Sequence, residues 1–312
     1  MIRFFNKQKQ FEQDVMEQGM QYSSGFYGDS LRRLKKNKMA MFCAGILVLL
    51  VLVAIFAPVI APYDPTYQDY SAVLAEPSMA HPFGTDEYGR DILSRIIYGS
   101  RVSLSIGIVA QVVASLVGVT LGVASIVGVT LGAVAGYYGG RIDSLISRIM
   151  EIFQAFPDLI FAMAIMTFLG KGVLNLFIAL GLLTWVRTAR MIRGSVMQLK
   201  EKEYIEASRA CGASTFWIIT KGLVPNCLST IIVLVTLGIP NAIMYEASLS
   251  FLGIGIQPPT PSWGNMISAA QTFISYRPVY SIVPGVAIMI TVIAFNIFGD
   301  GLRDALDPKL KN

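Results

Sequence analysis

The feature that most constrains the fold is a run of 25 residues, from 39 to 63, without a charged side chain. At about 1.5 Å per residue, a helix of that length exceeds the roughly 30 Å hydrocarbon core of a bilayer. The run is too long for the core of a signal peptide, and it starts late, behind a basic segment. We therefore expect an uncleaved first membrane span with the N-terminus in the cytoplasm. The basic residues ahead of it are Arg32, Arg33, Lys35, Lys36 and Lys38.

Composition agrees with a membrane protein. Hydrophobic residues make up 54% of the chain and charged residues only 14%, which excludes a soluble domain of this size. Cys43, Cys211 and Cys227 have no paired spacing, so neither a disulfide framework nor a metal cluster is expected. The net charge is +5, but the basic residues flank hydrophobic runs without interleaved aromatic residues. Membrane topology explains them better than nucleic-acid binding.

Five further hydrophobic runs, at 102–136, 149–170, 172–192, 226–252 and 279–299, predict six crossings with both termini inside. This assignment places 20 of the 25 Lys and Arg residues on the cytoplasmic side. The bias follows the positive-inside rule. The predicted fold class is therefore all-α, a polytopic protein of six transmembrane helices.

The second run is too long for one straight span, and a tandem duplication explains its length. Residues 114–123 read ASLVGVTLGV, and residues 124–133 read ASIVGVTLGA. Two crossings there would reverse the downstream topology and put the basic loop outside, so we favour one crossing. We expect the extra turns to project beyond the bilayer or to form a kink or loop near Gln111. The glycines of the run, Gly118, Gly122, Gly128, Gly132 and Gly136, have a spacing that permits close helix contact.

The charged segment 200–225 separates two hydrophobic spans but carries a helical pattern. Lys202, Glu206 and Arg209 fall at spacings that predict a charged helix face, and Gly212 is suited to end that helix. Ser214 can cap a second helix, whose apolar side is Phe216, Trp217 and Ile219, and Pro225 suits the first turn of the next span. Two interpretations remain open: a short helix presented to a groove in a cytoplasmic partner, or an amphipathic connector on the membrane surface.

The same segment resembles the loop signature of ABC-transporter inner-membrane permeases. Glu206, Ala207 and Ser208 are followed after three residues by Gly212, and after twelve more by Pro225. The chain departs from the family pattern at Ser208, Gly222 and Val224. Segments 81–104, 251–264 and 296–308 extend the resemblance from about residue 31 to the C-terminus. They narrow it to permeases of dipeptide and oligopeptide importers.

The resemblance implies a division of the chain and a set of partners. It implies a cytoplasmic segment 1–38, a first transmembrane helix 39–63 and an extracytoplasmic loop 64–100. A type-1 transmembrane domain 101–300, with its coupling loop at 193–225, and a cytoplasmic tail 301–312 complete the division. The partners would be a second homologous permease, two cytoplasmic ATPases that bind ATP and Mg, and an extracytoplasmic solute-binding protein. The chain would lie in the cytoplasmic membrane and move peptides by alternating access. The residues that contact the ATPases would be Glu203, Glu206, Ala207, Ser208, Arg209, Gly212 and Pro225.

Catalysis and ATP binding are not expected on this chain. It contains no Gly-x-x-x-x-Gly-Lys-Ser/Thr phosphate loop, and Gly170-Lys171-Gly172 lacks both the spacing and the hydroxyl. Three alternatives to this function exist. A nickel permease of the same family shares the motifs. An ion-coupled carrier would need an inverted repeat and a midplane ion site made by broken helices, and the sequence shows neither. Intramembrane proteolysis at Asp300 lacks the required glycine pattern.

Polar residues in the hydrophobic spans are candidates for the translocation path, because an unpaired charge at membrane depth is costly. Asn241, Tyr245 and Glu246 are the best candidates, the alternative for Glu246 being an internal hydrogen bond. Asp158, which follows Pro157, gives a weaker signal. In the predicted external loop, Asp86, Arg90, Asp91 and Arg95 either pair with one another or contact the delivering protein. His81 lacks a second soft ligand, so we expect no metal there.

Overall fold

The computed structural model describes residues 28–115 and 123–306, and those residues form an all-α protein without a β-strand. A helical stretch at 28–36 precedes ten labelled helices. They are α1 (Lys38–Ile55), α2 (Ile92–Ser115), α3 (Val123–Tyr138), α4 (Gly140–Gln154), α5 (Asp158–Leu169), α6 (Val173–Leu199), α7 (Glu203–Ala210), α8 (Leu228–Phe251), α9 (Trp263–Ala270) and α10 (Pro278–Leu306).

The helix boundaries of α1 follow from local chemistry. Asn37 begins the helix, because its side-chain oxygen accepts a hydrogen bond from the backbone N–H of Ala40 at 3.1 Å. The helix ends at Ile55, and a helical turn, Ala57–Ile60, follows with Pro58 near its start. The predicted first span 39–63 therefore corresponds to α1 and this turn.

Membrane-spanning length is reached by four helical stretches among the described residues: α1, α6, the continuous stretch Thr215–Phe251 that contains α8, and α10. The pair α4 and α5 makes a fifth if it is counted as one span. The prediction of six crossings is thus met in part.

The described residues of the predicted second span, 102–136, belong to α2, up to Ser115, and to α3, from Val123. Gln111 lies inside α2, so the irregularity does not occur there, and residues 116–122, with Gly118 and Gly122, lie outside the described residues. The two helices have different neighbours: α2 packs mainly on α8 and α1, whereas α3 packs on α6. The described residues on the two sides of 116–122 therefore pack against different parts of the helix bundle.

Glycines allow α3 and α6 to approach closely. A Cβ at Gly128 would lie 2.8 Å from the carbonyl oxygen of Trp185, and one at Gly132 would lie 2.3 Å from that of Ala189. At Gly136 the corresponding atom is the carbonyl oxygen of Arg193, 2.7 Å away. Because the residue numbers of these contact pairs rise together along both helices, α3 and α6 run parallel. The predicted close contact of these three glycines is confirmed, with α6 as the partner helix.

The predicted third span, 149–170, is broken. Helices α4 and α5 meet at residues 155–157 with an angle of 83° between them, and Pro157 lies directly before α5. Proline cannot donate a backbone hydrogen bond, which explains why the helix ends here. The predicted third span therefore bends at the proline that precedes Asp158.

The helices place two groups of loops at opposite ends of the molecule. Gly107 of α2 packs on Ile239 and Ile243 of α8, and Ser103 bonds to Glu246, so these helices are antiparallel. At one end, Gly301 of α10 packs against Ala40 at the start of α1, which places the beginning of α1 beside the end of α10. The segment 200–227 lies at this end, because it leads into the start of α8.

The opposite end is built from residues 61–91 and α9. Arg277, just before α10, donates to the carbonyl oxygen of Leu74 at 2.9 Å and to Glu76 at 2.9 Å. Tyr280 donates to Glu87 at 2.6 Å. The ring nitrogen of Trp263 donates to the carbonyl oxygen of Ile96 at 3.1 Å. These bonds fasten the long loop over the ends of α2 and α10.

Candidate functional site

Helix α7 has the predicted start and the predicted stop. Its first turn carries Glu203 and Glu206 and its last turn Arg209, charges that suit the helix dipole. Gly212 has a φ of +80°; its N–H donates to the carbonyl of Arg209 at 2.9 Å, and the next N–H, of Ala213, donates to Ser208 at 3.0 Å. This pair of bonds is the Schellman arrangement, which requires a left-handed residue after the helix. Gly212 is therefore the helix stop that the sequence predicted.

A single buried side chain anchors α7 to the body. Ile205 is fully buried against Val196, Ile218 and Leu223, and a Cβ on Gly222 would lie 3.0 Å from its Cδ1. The rest of α7 faces outward. Of the residues named by the loop signature, Ser208 is half-buried, and the others are exposed: Glu203, Glu206, Ala207, Arg209, Gly212 and Pro225.

The second part of the loop has an apolar side that is only partly covered. Ser214 begins it as predicted, because its hydroxyl accepts from the N–H of Trp217 at 3.3 Å. Ile218 is buried against the body, but Phe216 is 78% exposed and Trp217 44% exposed. Two aromatic side chains on the outer surface of a loop are typical of a protein contact.

The loop runs on into α8 without a break. A π-helical turn, Ile218–Leu223, and a 3₁₀ turn, Pro225–Cys227, connect them. Within this connection, the carbonyl oxygen of Gly222 accepts hydrogen bonds from the side chains of Asn226 at 2.6 Å and Tyr204 at 3.4 Å. Pro225 stands at the first position of its turn, as predicted, where no N–H is needed.

The ion pairs predicted along the charged face of α7 are not formed in the described ranges. In the described ranges neither Lys202 nor Glu206 takes part in an ion pair, and the guanidinium of Arg209 lies over the ring of Tyr137 at 5.2 Å. Burial is the main cause that raises the pKa of the Tyr204 phenol, with Cys227 as a further cause. The carboxylates of α7 are thus left free for another molecule.

Asn241 and Tyr245 line a cleft between α5, α6 and α8. Asp158 and Arg187 line it with them, and the Tyr245 hydroxyl donates to the Asp158 carboxylate at 2.5 Å. An adjoining cavity, lined by Gln154 and Phe161 among others, shares Asp158 and Arg187. The two cavities measure about 40 and 50 Å³. Each has room for water but not for a peptide.

Glu246 does not reach this cleft. It is fully buried: Ser250 donates to one carboxylate oxygen at 2.8 Å, and Ser103 of α2 donates to the other at 3.4 Å. The backbone N–H of Trp263 in turn donates to the Ser103 hydroxyl at 3.2 Å. The structure thus separates Glu246 from Asn241 and Tyr245 and favours the alternative of an internal hydrogen bond.

The four charged residues predicted for the external loop lie together and are almost fully buried. Arg90 donates to Asp86 at 2.6 Å, and Arg95 lies 3.4 Å from the same carboxylate. The Asp91 carboxylate accepts a hydrogen bond from Nδ1–H of the His81 ring at 3.0 Å. Burial favours the structural alternative for all four over contact with a delivering protein. In the residues that the structure describes, no group of three or more potential metal ligands occurs.

Comparison with known proteins identifies the family. Residues 128–312 match the family model described as the binding-protein-dependent transport system inner membrane component. Residues 25–77 match the N-terminal transmembrane domain of oligopeptide transport permease C. The chain belongs to this family of permeases. The predicted resemblance is confirmed, and the permease is a transport subunit rather than an enzyme.

Curated relatives match the permease over nearly its whole length. It is 42% identical to the dipeptide transport system permease protein DppC of Bacillus subtilis, over 98% of this chain and 92% of the relative. It is 44% identical to the glutathione transport system permease protein GsiD of Escherichia coli O157:H7, over 90% of this chain and 89% of the relative. The oligopeptide transport system permease protein OppC of Bacillus subtilis is 41% identical, with 93% and 92% covered.

A solved structure has a similar fold. A chain of the MetNI methionine ABC transporter in an inward-facing conformation superposes with a TM-score of 0.55 at 21% identity, covering 69% of the permease and 98% of that chain. At this identity the likeness concerns the fold alone.

Arg187 is the cleft residue that the sequence did not single out. The predicted span 172–192 contains it, but the charge pattern groups it with the basic loop that follows. The structure extends α6 to Leu199, so Arg187 lies within the helix. Asp158 was noted, and only the structure brings it to Tyr245. A charged residue inside a long hydrophobic helix was the signal that could have identified Arg187.

Proposed function

We propose that this permease is a membrane subunit of an ATP-driven importer of dipeptides or oligopeptides. The observation that carries the proposal is an exposed surface at one end of the molecule, formed by α7 and Phe216. Within α7, Ile205 is the buried residue that attaches the helix to the body. A short helix with exposed carboxylates and neighbouring exposed aromatic residues fits a groove in a partner protein. Relatives named as dipeptide, oligopeptide and glutathione permeases support a peptide substrate.

The proposed topology has six spans with both termini in the cytoplasm. α2, continued by α3, would form the second span, and the bent pair α4 and α5 the third. The proposed division is a cytoplasmic segment 1–38, a first span 39–63, an extracytoplasmic loop 64–100, a type-1 domain 101–300 and a cytoplasmic tail 301–312. The basic residues support this orientation, because most of them then lie inside.

The proposed complex contains a second permease, two ATPases and an extracytoplasmic solute-binding protein. ATP and Mg would be bound by the ATPases, whose closure would move the loop 193–225. The Schellman stop at Gly212 and the continuous helical stretch from Thr215 to Phe251 support this transmission, because a rigid element carries a displacement along its whole length. The permease would then alternate between openings on the two sides.

Purification of the complex tests the ATPase contact. We expect Phe216→Ala to lower the recovery of the ATPases with the permease by about fivefold or more, because loss of a buried interface aromatic costs over about 1 kcal/mol. Phe168 is 96% exposed at the opposite end, so Phe168→Ala is the matched control and should leave recovery unchanged. Uptake that persists after ATP depletion would refute the proposal.

Glutathione is a second candidate substrate, since a glutathione permease is as similar to this chain as the dipeptide permeases are. A nickel importer remains the alternative within the family. Binding of dipeptides, longer peptides, glutathione and Ni²⁺ to the associated solute-binding protein, measured by calorimetry, distinguishes them. Tight binding of Ni²⁺ without any peptide would exclude the peptide assignment.

A further inference from the structure

The cleft that contains Asp158, Arg187, Asn241 and Tyr245 lies at membrane depth. Arg187 is about 14 residues, or about 21 Å, from the start of α6, which is less than the roughly 30 Å thickness of the hydrocarbon core. Asn241 is about ten residues, or about 15 Å, from the end of α8. Arg187, Asn241 and Asp158 are all exposed in the isolated chain.

Exposed charges at this depth do not face lipid, because a bare charge in hydrocarbon is expensive. The break at residues 155–157 lies beside the same cleft, since Asp158 follows it directly. Backbone that leaves the helical pattern inside a membrane is stable only where protein covers it or water reaches it. A cleft that opens into a water-filled cavity accounts for both features.

Within the cleft, the carboxylate is engaged and the guanidinium is not. The Tyr245 hydroxyl bonds to Asp158 at 2.5 Å, and neither residue forms an ion pair or hydrogen bond with Arg187. Across the described part of the chain, the side chain of Arg187 has no hydrogen-bonding partner. A guanidinium in this state offers two parallel N–H groups, which match the two oxygens of a carboxylate.

We infer that Arg187 binds the terminal carboxylate of a peptide in transit. Tyr245 acts as a positioning residue, because its hydroxyl holds the Asp158 carboxylate and leaves it outside a direct ion pair with Arg187. The inference rests on the proposed peptide function and deepens it: the ligand class is an anionic carboxylate rather than a peptide of particular side chains. The inference also places the water-filled cavity of the transport path beside the face formed by α5, α6 and α8.

Uptake of matched peptides tests the inference in the complete transport complex reconstituted in liposomes. The probes are alanine dipeptides and tripeptides with a free carboxylate and the same peptides as C-terminal amides. The variants are Arg187→Gln and Arg187→Lys. Arg190 is also exposed on α6 but does not line the cleft, so Arg190→Gln is the matched control. Membrane content and ATP hydrolysis are measured alongside to confirm that each complex assembles.

Arg187→Gln should lower uptake of the free peptides about tenfold relative to the amides, the size expected for one charge-assisted hydrogen bond. Arg187→Lys should retain part of the preference, and Arg190→Gln all of it. An unchanged acid-to-amide ratio in Arg187→Gln, or an equal loss for both forms, overturns the inference and leaves the peptide function intact. Failure of the wild-type complex to transport any of these peptides overturns the proposed function instead, and the inference with it.

Discussion

At the scale of single residues, positive φ and burial decide what a position can do. Gly212 and Gly194 both have open space around an added Cβ, but only Gly212 has a left-handed backbone, with φ of +80°. Glu246 and Arg187 are both ionisable residues within long helices, yet one is fully buried beside serine hydroxyls and the other is exposed. Residue type alone therefore did not separate structural positions from candidate contacts.

The two glycines provide a residue-scale prediction. Gly212→Ala should disturb the end of α7, because a left-handed alanine costs about 1–2 kcal/mol. We expect a lower ratio of peptide uptake to ATP hydrolysis, with membrane insertion unchanged. Gly194→Ala, inside α6, should stabilise the helix by about 0.5–1 kcal/mol and leave the ratio unchanged. Equal coupling in both variants would show that the conformation at Gly212 is not needed for transmission.

At the scale of elements, small residues and a broken helix shape the packing. The glycines of α3 let its backbone touch that of α6, whereas the bend between α4 and α5 brings Asp158 to the side of α8. An ion pair between Arg193 and Asp143 joins α6 to α4, and the Arg193 guanidinium donates hydrogen bonds to the Asp143 carboxylate. Helix α6 is therefore the element on which α3, α4 and α5 are assembled.

The contact of α3 with α6 provides an element-scale prediction. Gly132→Ala should lower the free energy of unfolding by about 1–3 kcal/mol, because the new methyl group overlaps the carbonyl of Ala189. Gly285→Ala in α10 is the control, since a Cβ there meets nothing within 4 Å. Thermal unfolding of the purified permease in one detergent measures both. Equal midpoints for the two variants would mean that α3 does not pack on α6 in this way.

At the scale of the whole molecule, the loops are sorted to two ends. The exposed residue Met79 belongs to the end fastened by Arg277 and Tyr280, while Cys211 belongs to the end that contains α7. The beginning of α1 and the end of α10 lie with α7. The proposed ATPases and solute-binding protein would contact opposite ends of such a molecule.

Cysteine labelling provides a whole-molecule prediction. One variant carries Met79→Cys together with Cys211→Ser, and in intact cells a membrane-impermeant maleimide should label it. In the unaltered chain the same reagent should not label the native Cys211. Cys211 should react once the membrane is opened. Cys43 and Cys227 are buried and should contribute little in either case. Labelling of Cys211 in intact cells would reverse the proposed orientation.

The membrane class, the family and the local structure of the loop 200–225 could all be predicted from residue types and their spacing. Charge-free runs identify spans through the cost of burying charge, and Gly212, Ser214 and Pro225 act through their own backbone chemistry, so no distant residue was needed to predict them. Tertiary structure alone decided that Glu246 is internal, that Arg187 is exposed, and that Asp158 meets Tyr245 across 87 positions. The physical reason is that a helical pattern fixes which residues share a face, whereas the neighbour that covers the face depends on packing between helices far apart in the chain.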